Sequence, residues 1–280
     1  MGLMGQMGLI VAMVLMAKGM PMPYALQEWL NLAFRWGHVF AGILWIGATW
    51  YFTWLDRRFH TTDPDEVWMV HSGGFYQVRK LGRPSPAHTL HWFKWEAALT
   101  WLTGFCLLVI VYYLGGLMSD GEPGKLNNGQ AIAAGLATLV IGWLVYDLVL
   151  ARDERLAIAG GLLCIVGLEY ALSRLMAPRA ALMHVGATLG TCMAANVWMR
   201  ILPAQRQMVR VAREGGEPDQ RLADRAKNRS KHNTYLIMPV ILVMISNHFP
   251  VTTYGSAHAW LIVGILTVVG WGFAHIVRKH

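Results

Sequence analysis

The stretch from His88 to Leu114 reads HTLHWFKWEAALTWLTGFCLLVIVYYL. Its second half is an apolar run of the kind that crosses a membrane as a helix, which needs about 20 such residues. Yet the run opens with His91, Lys94 and Glu96, and each of these is costly to keep out of water. The rest of the chain has the same character. It has 280 residues, 55% of them hydrophobic and 14% charged, with a mean hydropathy of +0.38. Such values belong to a polytopic membrane protein rather than a soluble domain. Apolar runs fall at roughly 30–55, 92–114, 130–150, 157–176, 181–202, 234–249 and 258–277. The opening MGLMGQMGLIVAMVLMA is shorter and lacks a basic start, and it reads as an extra span over 1–20 rather than a cleaved leader. The expected fold is therefore all-α: one membrane domain, residues 1–280, with seven or eight transmembrane helices.

Lysine and arginine orient the bundle, because they collect on the cytoplasmic side. The segments 56–90 and 203–233 are rich in them, and the tail ends in Arg278 and Lys279. GGLMSDGEPGKLNNGQ holds only Lys125, and FPVTTYGSAH holds none. Basic and neutral loops alternate as the spans require, which makes 56–90 and 203–233 cytoplasmic loops and puts the tail after Trp271 inside. The net charge of +8 is then largely membrane topology, and a nucleic-acid partner is not expected. The run AQRQMVRVAR at 204–213 reads as a basic surface helix on the inner leaflet. Cys106, Cys164 and Cys192 all fall inside spans, forming neither a disulfide framework nor a zinc pattern. No C-x-x-C-H occurs, so the chain attaches no c-type haem.

The same topology sorts the histidines into two layers. His38, His184, His248 and His258 lie toward the outer face, on four different helices. His60, His71, His88, His91, His232, His275 and His280 lie toward the inner face. Neutral imidazole is the usual axial ligand of haem iron. His38 and His184, at similar depth and flanked by Gly42, Gly186 and Gly190, are candidate ligands of one b-type haem, with His248 as the alternate. Simple helix packing through small residues explains the same pattern.

On the inner side, His91 and Lys94 are three apart and share a helical face, whereas Glu96 points elsewhere. Lys94 is equally readable as a side chain that snorkels to the interface. The long loop before it, with its histidines, arginines and glycines, has the look of a functional segment. NRSKHNTYL supplies a second polar cluster at the inner mouth of the span 234–249.

HVFAGILWIGATWYFTWLD, HSGGFYQVRK, LHWFKWEAALTWLTGF, GWLVYD, HVGATLGTCMAANVW, ILPAQRQMV and NRSKHNTYLIMPVILVMISNHFP together resemble the membrane domain of the PuuD-type urate hydroxylases. The resemblance runs over about residues 25–277. It implies an integral-membrane oxidoreductase of purine degradation, in a bacterial inner membrane. The implied reaction is oxidation of urate to 5-hydroxyisourate, with electrons passed to a cytochrome c. Members typically carry a C-terminal cytochrome c domain, and here His280 ends the sequence without one, which implies a separate cytochrome c as acceptor. Urate is an anion at neutral pH and calls for cationic donors and a base. That makes the inner layer a candidate substrate site: His91, Lys94 and Glu96 as catalytic residues, with His71, Arg79 and Lys80 binding the anion. Two other readings stand beside it: a haem-handling electron-transfer protein, such as a protoporphyrinogen-oxidase-like enzyme, and a transporter of purines or other anions. No inverted repeat favours the transporter.

Overall fold

The structure, a computed structural model, describes residues 23–61, 66–82 and 88–279, with the side chains of residues 60 and 61 left aside. The apolar opening segment, Arg83 and His280 lie outside the described residues. The bundle is all-α, as its apolar runs require. Helix α1 (Tyr24–Thr61) is about 57 Å long at 1.5 Å per residue, more than a bilayer core needs. A short antiparallel hairpin follows, β1 (Glu66–His71) and β2 (Gly74–Arg79). Then come α2 (Trp95–Leu107), α3 (Asn128–Leu148), α4 (Gly161–Leu175), α5 (Pro178–Ala195), α6 (Leu202–Arg213), α7 (Gln220–Ile245) and α8 (Ala259–Lys279).

Local chemistry sets the helix ends. Asn127 caps α3 by accepting from the Gln130 N–H at 2.9 Å, while the Gln130 side chain accepts from the Asn127 N–H at 3.1 Å, a reciprocal pairing that satisfies two orphan donors. Pro178 starts α5 where its missing N–H does no harm. The hairpin turns at Ser72 and Gly73, both with positive φ, as a two-residue turn between right-twisted strands demands.

Three helices pass into π turns, at Leu108–Tyr113, Leu156–Gly160 and Asn196–Ile201. A π turn adds a residue to the helical repeat and is frequent at functional sites. Here the first and third carry polar side chains into the interior.

Helix α5 is the hub, packing against α3, α4 and α7, while α1 lies along α2 and α8 along α4 and α7. The face of α5 is small or apolar through Ala180, Ala181, Leu182 and Val185, all fully or nearly fully buried. The outward faces carry Val39, Ile43, Val140, Ile141, Leu163 and Val269 in exposed positions. Such apolar exposure would be anomalous in water and is what lipid contact calls for. By length and hydropathy alone, five segments can cross a membrane: Trp95–Tyr113, Asn128–Arg152, Leu156–Leu175, Pro178–Arg213 and Ala259–Lys279. The expected count of seven or eight also includes α1 and α7. The middle of α1 is uncharged from Trp36 to Thr53, but its tryptophans, glycines and His38 lower its hydropathy. The first half of α7 is polar and extends beyond the apolar run. Helix α6 is the basic helix expected at 204–213. Leu202 and Ala204 turn inward, and Arg206, Arg210 and Arg213 are exposed.

The long loop expected to be functional is in part the hairpin. Val67, Met69 and Val78 seat one face of it on Leu55 and Phe59 of α1.

Candidate functional site

A partly open cavity of about 310 Å³ lies between α1, α2, α5 and α7, within the range of small-molecule sites. It occupies the basic-poor half of the bundle. His38 projects from α1 onto its wall. The imidazole is held by its Nδ1, 2.9 Å from the Thr100 carbonyl oxygen of α2. A carbonyl only accepts, so Nδ1 carries the proton, and Nε2 keeps its lone pair with no hydrogen bond among the described residues. The ring rests on Gly104. A Cβ there would come within 2.8 Å of Cε1 and 3.1 Å of Nδ1, so only glycine leaves the imidazole in place.

Two arginines reach the same cavity, Arg35 one turn before His38 and Arg179 at the start of α5. Arg35 donates to Asn31 Oδ1 from Nη2 at 3.0 Å, and Arg179 Nε donates to Asn247 Oδ1 at 2.8 Å. Among the described residues neither has a carboxylate partner. The other two cations of this end are engaged differently: Lys125 pairs with Asp120 and Glu122, and Arg174 lies over the Tyr170 ring at 5.0 Å. Tyr112 completes the polar set, with the Arg179 guanidinium 5.7 Å from its ring centroid. Its hydroxyl is buried beside Arg179 and Asn247 without a well-formed hydrogen bond, a state that costs about 1–3 kcal/mol.

Flat apolar walls enclose the remainder. Trp101 and Phe105 are stacked, with centroids 5.4 Å apart and planes at 11°. Trp101 Nε1 donates to Thr191 Oγ1 at 3.1 Å, closing the wall between this cavity and an apolar, lipid-side groove that shares both residues.

His184 is elsewhere. It is fully buried but is not part of the cavity wall. Its Nδ1 donates to the Ala180 carbonyl at 2.8 Å, and its Nε2 accepts from the Tyr113 hydroxyl at 3.2 Å. The ring fits against Gly135 of α3, where a Cβ would lie 2.4 Å from Nε2. His248 is exposed at the end of a 3-10 turn. The facing pair of imidazoles expected for a b-type haem is thus not presented: His38 offers a free nitrogen, His184 has both committed, and His248 stands outside. Among the described residues no group of three or more His, Cys, Asp or Glu is placed to hold a metal ion.

The inner-layer residues are spread over the hairpin, the segment after it and the start of α2. His71 is exposed at the hairpin tip, Arg79 is exposed on β2, and Lys80 pairs with Asp56 of α1. His91 meets Phe93 edge-on at 4.6 Å, and Lys94 lies 5.1 Å from the ring centroid of its neighbour Trp95. Glu96 keeps one buried, unpartnered carboxylate oxygen. No described hydrogen bond or ion pair joins any two of the six.

Instead, the inner half holds a polar network only hinted at by GWLVYD and NRSKHNTYL. Asp147 of α3 is buried and accepts from Arg200 Nε at 2.9 Å, with a second bond from the same guanidinium, and from Arg229 at 2.8 Å. Arg200 and Asn196 come from the third π turn. Asn196 Nδ2 donates to Tyr146 Oη at 2.8 Å and to Asn233 Oδ1 at 2.9 Å, and its own Oδ1 accepts from Arg229 at 3.2 Å. The Tyr146 proton is left for Nδ1 of His232, 2.9 Å away. This network is closed on itself, joining α3, α5 and α7 at the basic end.

What sequence reading missed had a signal of its own. Arg35 and Arg179 are cations on the side where cations are scarce, and Asp147 is an acid inside a span. Glu169, fully buried in α4 with both carboxylate oxygens unpartnered, is another such acid, and it does not line the cavity.

The family described as urate oxidase N-terminal matches residues 24–280. The chain belongs to that family. Nothing among curated proteins or solved structures matches it. Membership gives the chain a urate-related oxidase role and makes the membrane bundle a redox enzyme's domain.

Proposed function

We propose that this protein oxidises urate to 5-hydroxyisourate within the membrane bundle and delivers the electrons to a cytochrome c. Urate and one water give 5-hydroxyisourate, two protons and two electrons. The electrons reduce two ferric cytochromes, one each. The observation that carries the reading is His38, a histidine with a fixed N–H and a free Nε2 on the wall of a ligand-sized cavity, in a chain of this family. A base so held takes a proton from bound urate, which raises the electron density of the purine and eases its oxidation. Water then adds at the oxidised C5, and its proton leaves through the same imidazole or to bulk. Trp101 and Phe105 shield the ring faces from lipid.

Among the described residues, His38 and His184 do not face one another as the paired imidazoles of a low-spin b-type haem would. The test is direct. Detergent-purified protein, given urate and ferric cytochrome c without oxygen, is expected to reduce two cytochromes per urate consumed, and His38→Ala is expected to lose this activity. Absence of urate-dependent reduction by the wild type would sink the proposal. A low-spin haem b spectrum that disappears in both His38→Ala and His184→Ala would restore the haem-centred reading in its place.

A further inference from the structure

We infer that the cavity is an anion site loaded from the outer face of the membrane, with Arg35 and Arg179 gripping the oxygen-bearing edge of a planar purine. This rests on the urate reading and goes beyond it, by naming the recognition residues and the side from which substrate arrives.

Three independent observations converge. The first is charge. Lysine and arginine mark one end of the bundle as cytoplasmic, and the cavity's polar wall is at the other end. Of the four described cations there, two line this one cavity, and both donate to asparagine amide oxygens rather than to carboxylates. A cation without a carboxylate neighbour keeps its full field for a ligand, most strongly where the surroundings are of low dielectric. The second is the Tyr112 hydroxyl, buried beside Arg179 and Asn247 without a well-formed hydrogen bond. A ligand oxygen in the cavity would supply the partner it lacks. The third is access. Arg35 is exposed and Arg179 half-buried at the outer end of the cavity, whereas its inward part is lined by the apolar Trp45 and Ile237. The polar mouth therefore opens outward.

The assignment fits the substrate class. Guanidinium groups bind planar oxyanions through parallel N–H donors, and the stacked Trp101–Phe105 wall is suited to a flat heterocycle. An outward mouth also puts substrate and the external electron acceptor on one side of the membrane.

The experiment measures binding of radiolabelled urate to sealed right-side-out and inverted membrane vesicles, before and after opening with detergent. Right-side-out vesicles are expected to bind at full capacity while sealed, and inverted vesicles only once opened. In purified protein, Arg35→Gln and Arg179→Gln are each expected to weaken urate binding about 10- to 100-fold, the range for losing a charged hydrogen bond. Arg35→Gln is the safer variant, since Arg35 is exposed and bonds only to its own helix. Elution profile and thermal midpoint report whether Arg179→Gln folds. Binding that is full in sealed inverted vesicles, or affinity unchanged in a folded Arg35→Gln variant, overturns the inference while leaving urate oxidation standing. A wild type that neither binds nor oxidises urate removes both.

Discussion

Replacing Gly104 by alanine tests the catalytic reading with a single methyl group. The added Cβ would sit 2.8 Å from His38 Cε1, against 3.4 Å for ordinary contact. The imidazole must therefore retreat by about 0.6 Å. Its anchor is the 2.9 Å bond to the Thr100 carbonyl, and a retreat of that size takes the bond to the edge of hydrogen-bond range. Both the position of Nε2 and the tautomer that leaves it unprotonated are then lost. A misplacement of about 1 Å in a catalytic group costs on the order of 100-fold in rate, so kcat for urate-dependent cytochrome c reduction should fall about 30- to 100-fold. KM should change little, because the arginines are untouched.

Stability should not suffer. Alanine is favoured over glycine inside a helix by about 1 kcal/mol, which offsets part of the crowding, and the thermal midpoint should stay within a few degrees of wild type. Gly47→Ala is the control. It makes the same change in a helix that borders the site, but its Cβ meets no atom within 4 Å, and it should leave kcat unaltered. If Gly104→Ala keeps kcat within twofold of wild type, the placement of His38 does not govern the reaction, and the base must be sought elsewhere.

Other outcomes follow from the same geometry. Asp147→Asn leaves Arg200 and Arg229 facing a neutral group in the bundle interior, so it should destabilise the fold by about 3–5 kcal/mol, seen as a lowered unfolding midpoint in detergent. Lys94→Gln and His91→Gln, at positions where Lys94 lies over Trp95 and His91 meets Phe93 edge-on, should leave urate turnover within about twofold of wild type. Loss of turnover in either would return the site to the inner face. In the outer loop, burial pushes the Asp120 carboxyl up, but the hydrogen bond and charge of Lys125, with the Glu122 N–H, outweigh it and hold the pKa below the ordinary 3.8. The loop's lock is therefore present above that value and lost as pH falls through the lowered one, which hydrogen exchange across 117–127 at mildly and strongly acidic pH would register.

Spans were readable because lipid asks only for length and apolarity. Five of the runs marked in the sequence fall on helices within a few residues, while α7 begins well before its run and α1 extends beyond its run at both ends, because lipid sets a minimum and not a maximum. The hairpin was not readable. Trp68, Val70 and Phe75 alternate over too few residues, inside a loop whose charge dominates, and the two strands take their stability from packing on Leu55 and Phe59 at the end of the preceding helix. The depth of the histidines was readable, but their direction was not. One residue turns a helix by 100°. On α5, Met183, Gly186, Ala187 and Gly190 face the cavity, and His184, at the same depth, looks at Gly135 instead. The π turn at Leu108–Tyr113 has a similar effect, sending Tyr112 to the cavity and Tyr113 to His184. Periodicity fixed at 3.6 residues has no means of anticipating that divergence.

The polar residues that open the second span now have a plainer explanation, and the contrast with the other end of the bundle is instructive. At the basic end, charges are handled locally. Lys94 leans over Trp95, Lys80 and Lys227 share Asp56, Lys231 takes Glu154, and Asp147 holds two arginines. Each arrangement cancels the field of a cation or turns it to water. At the basic-poor end, Lys125 is cancelled by two carboxylates in the same manner, yet Arg35 and Arg179 are left with amide oxygens. An asparagine orients a guanidinium without neutralising it. Keeping two such groups on one cavity is unfavourable for the empty protein, since like charges in a poorly screened space repel. The repulsion is relieved only when an anion enters, so part of the binding energy is set by what the empty bundle forgoes. A site of this kind favours an anionic purine over a neutral one of the same shape by electrostatics alone, and its selectivity should weaken as soon as either arginine is given a carboxylate neighbour. Asn247→Asp does that to Arg179 with almost no change of volume. It should lower urate affinity about as much as removing the arginine, while preserving or raising the thermal midpoint. A variant that binds urate as well as wild type would show that the arginines serve the fold and not the ligand.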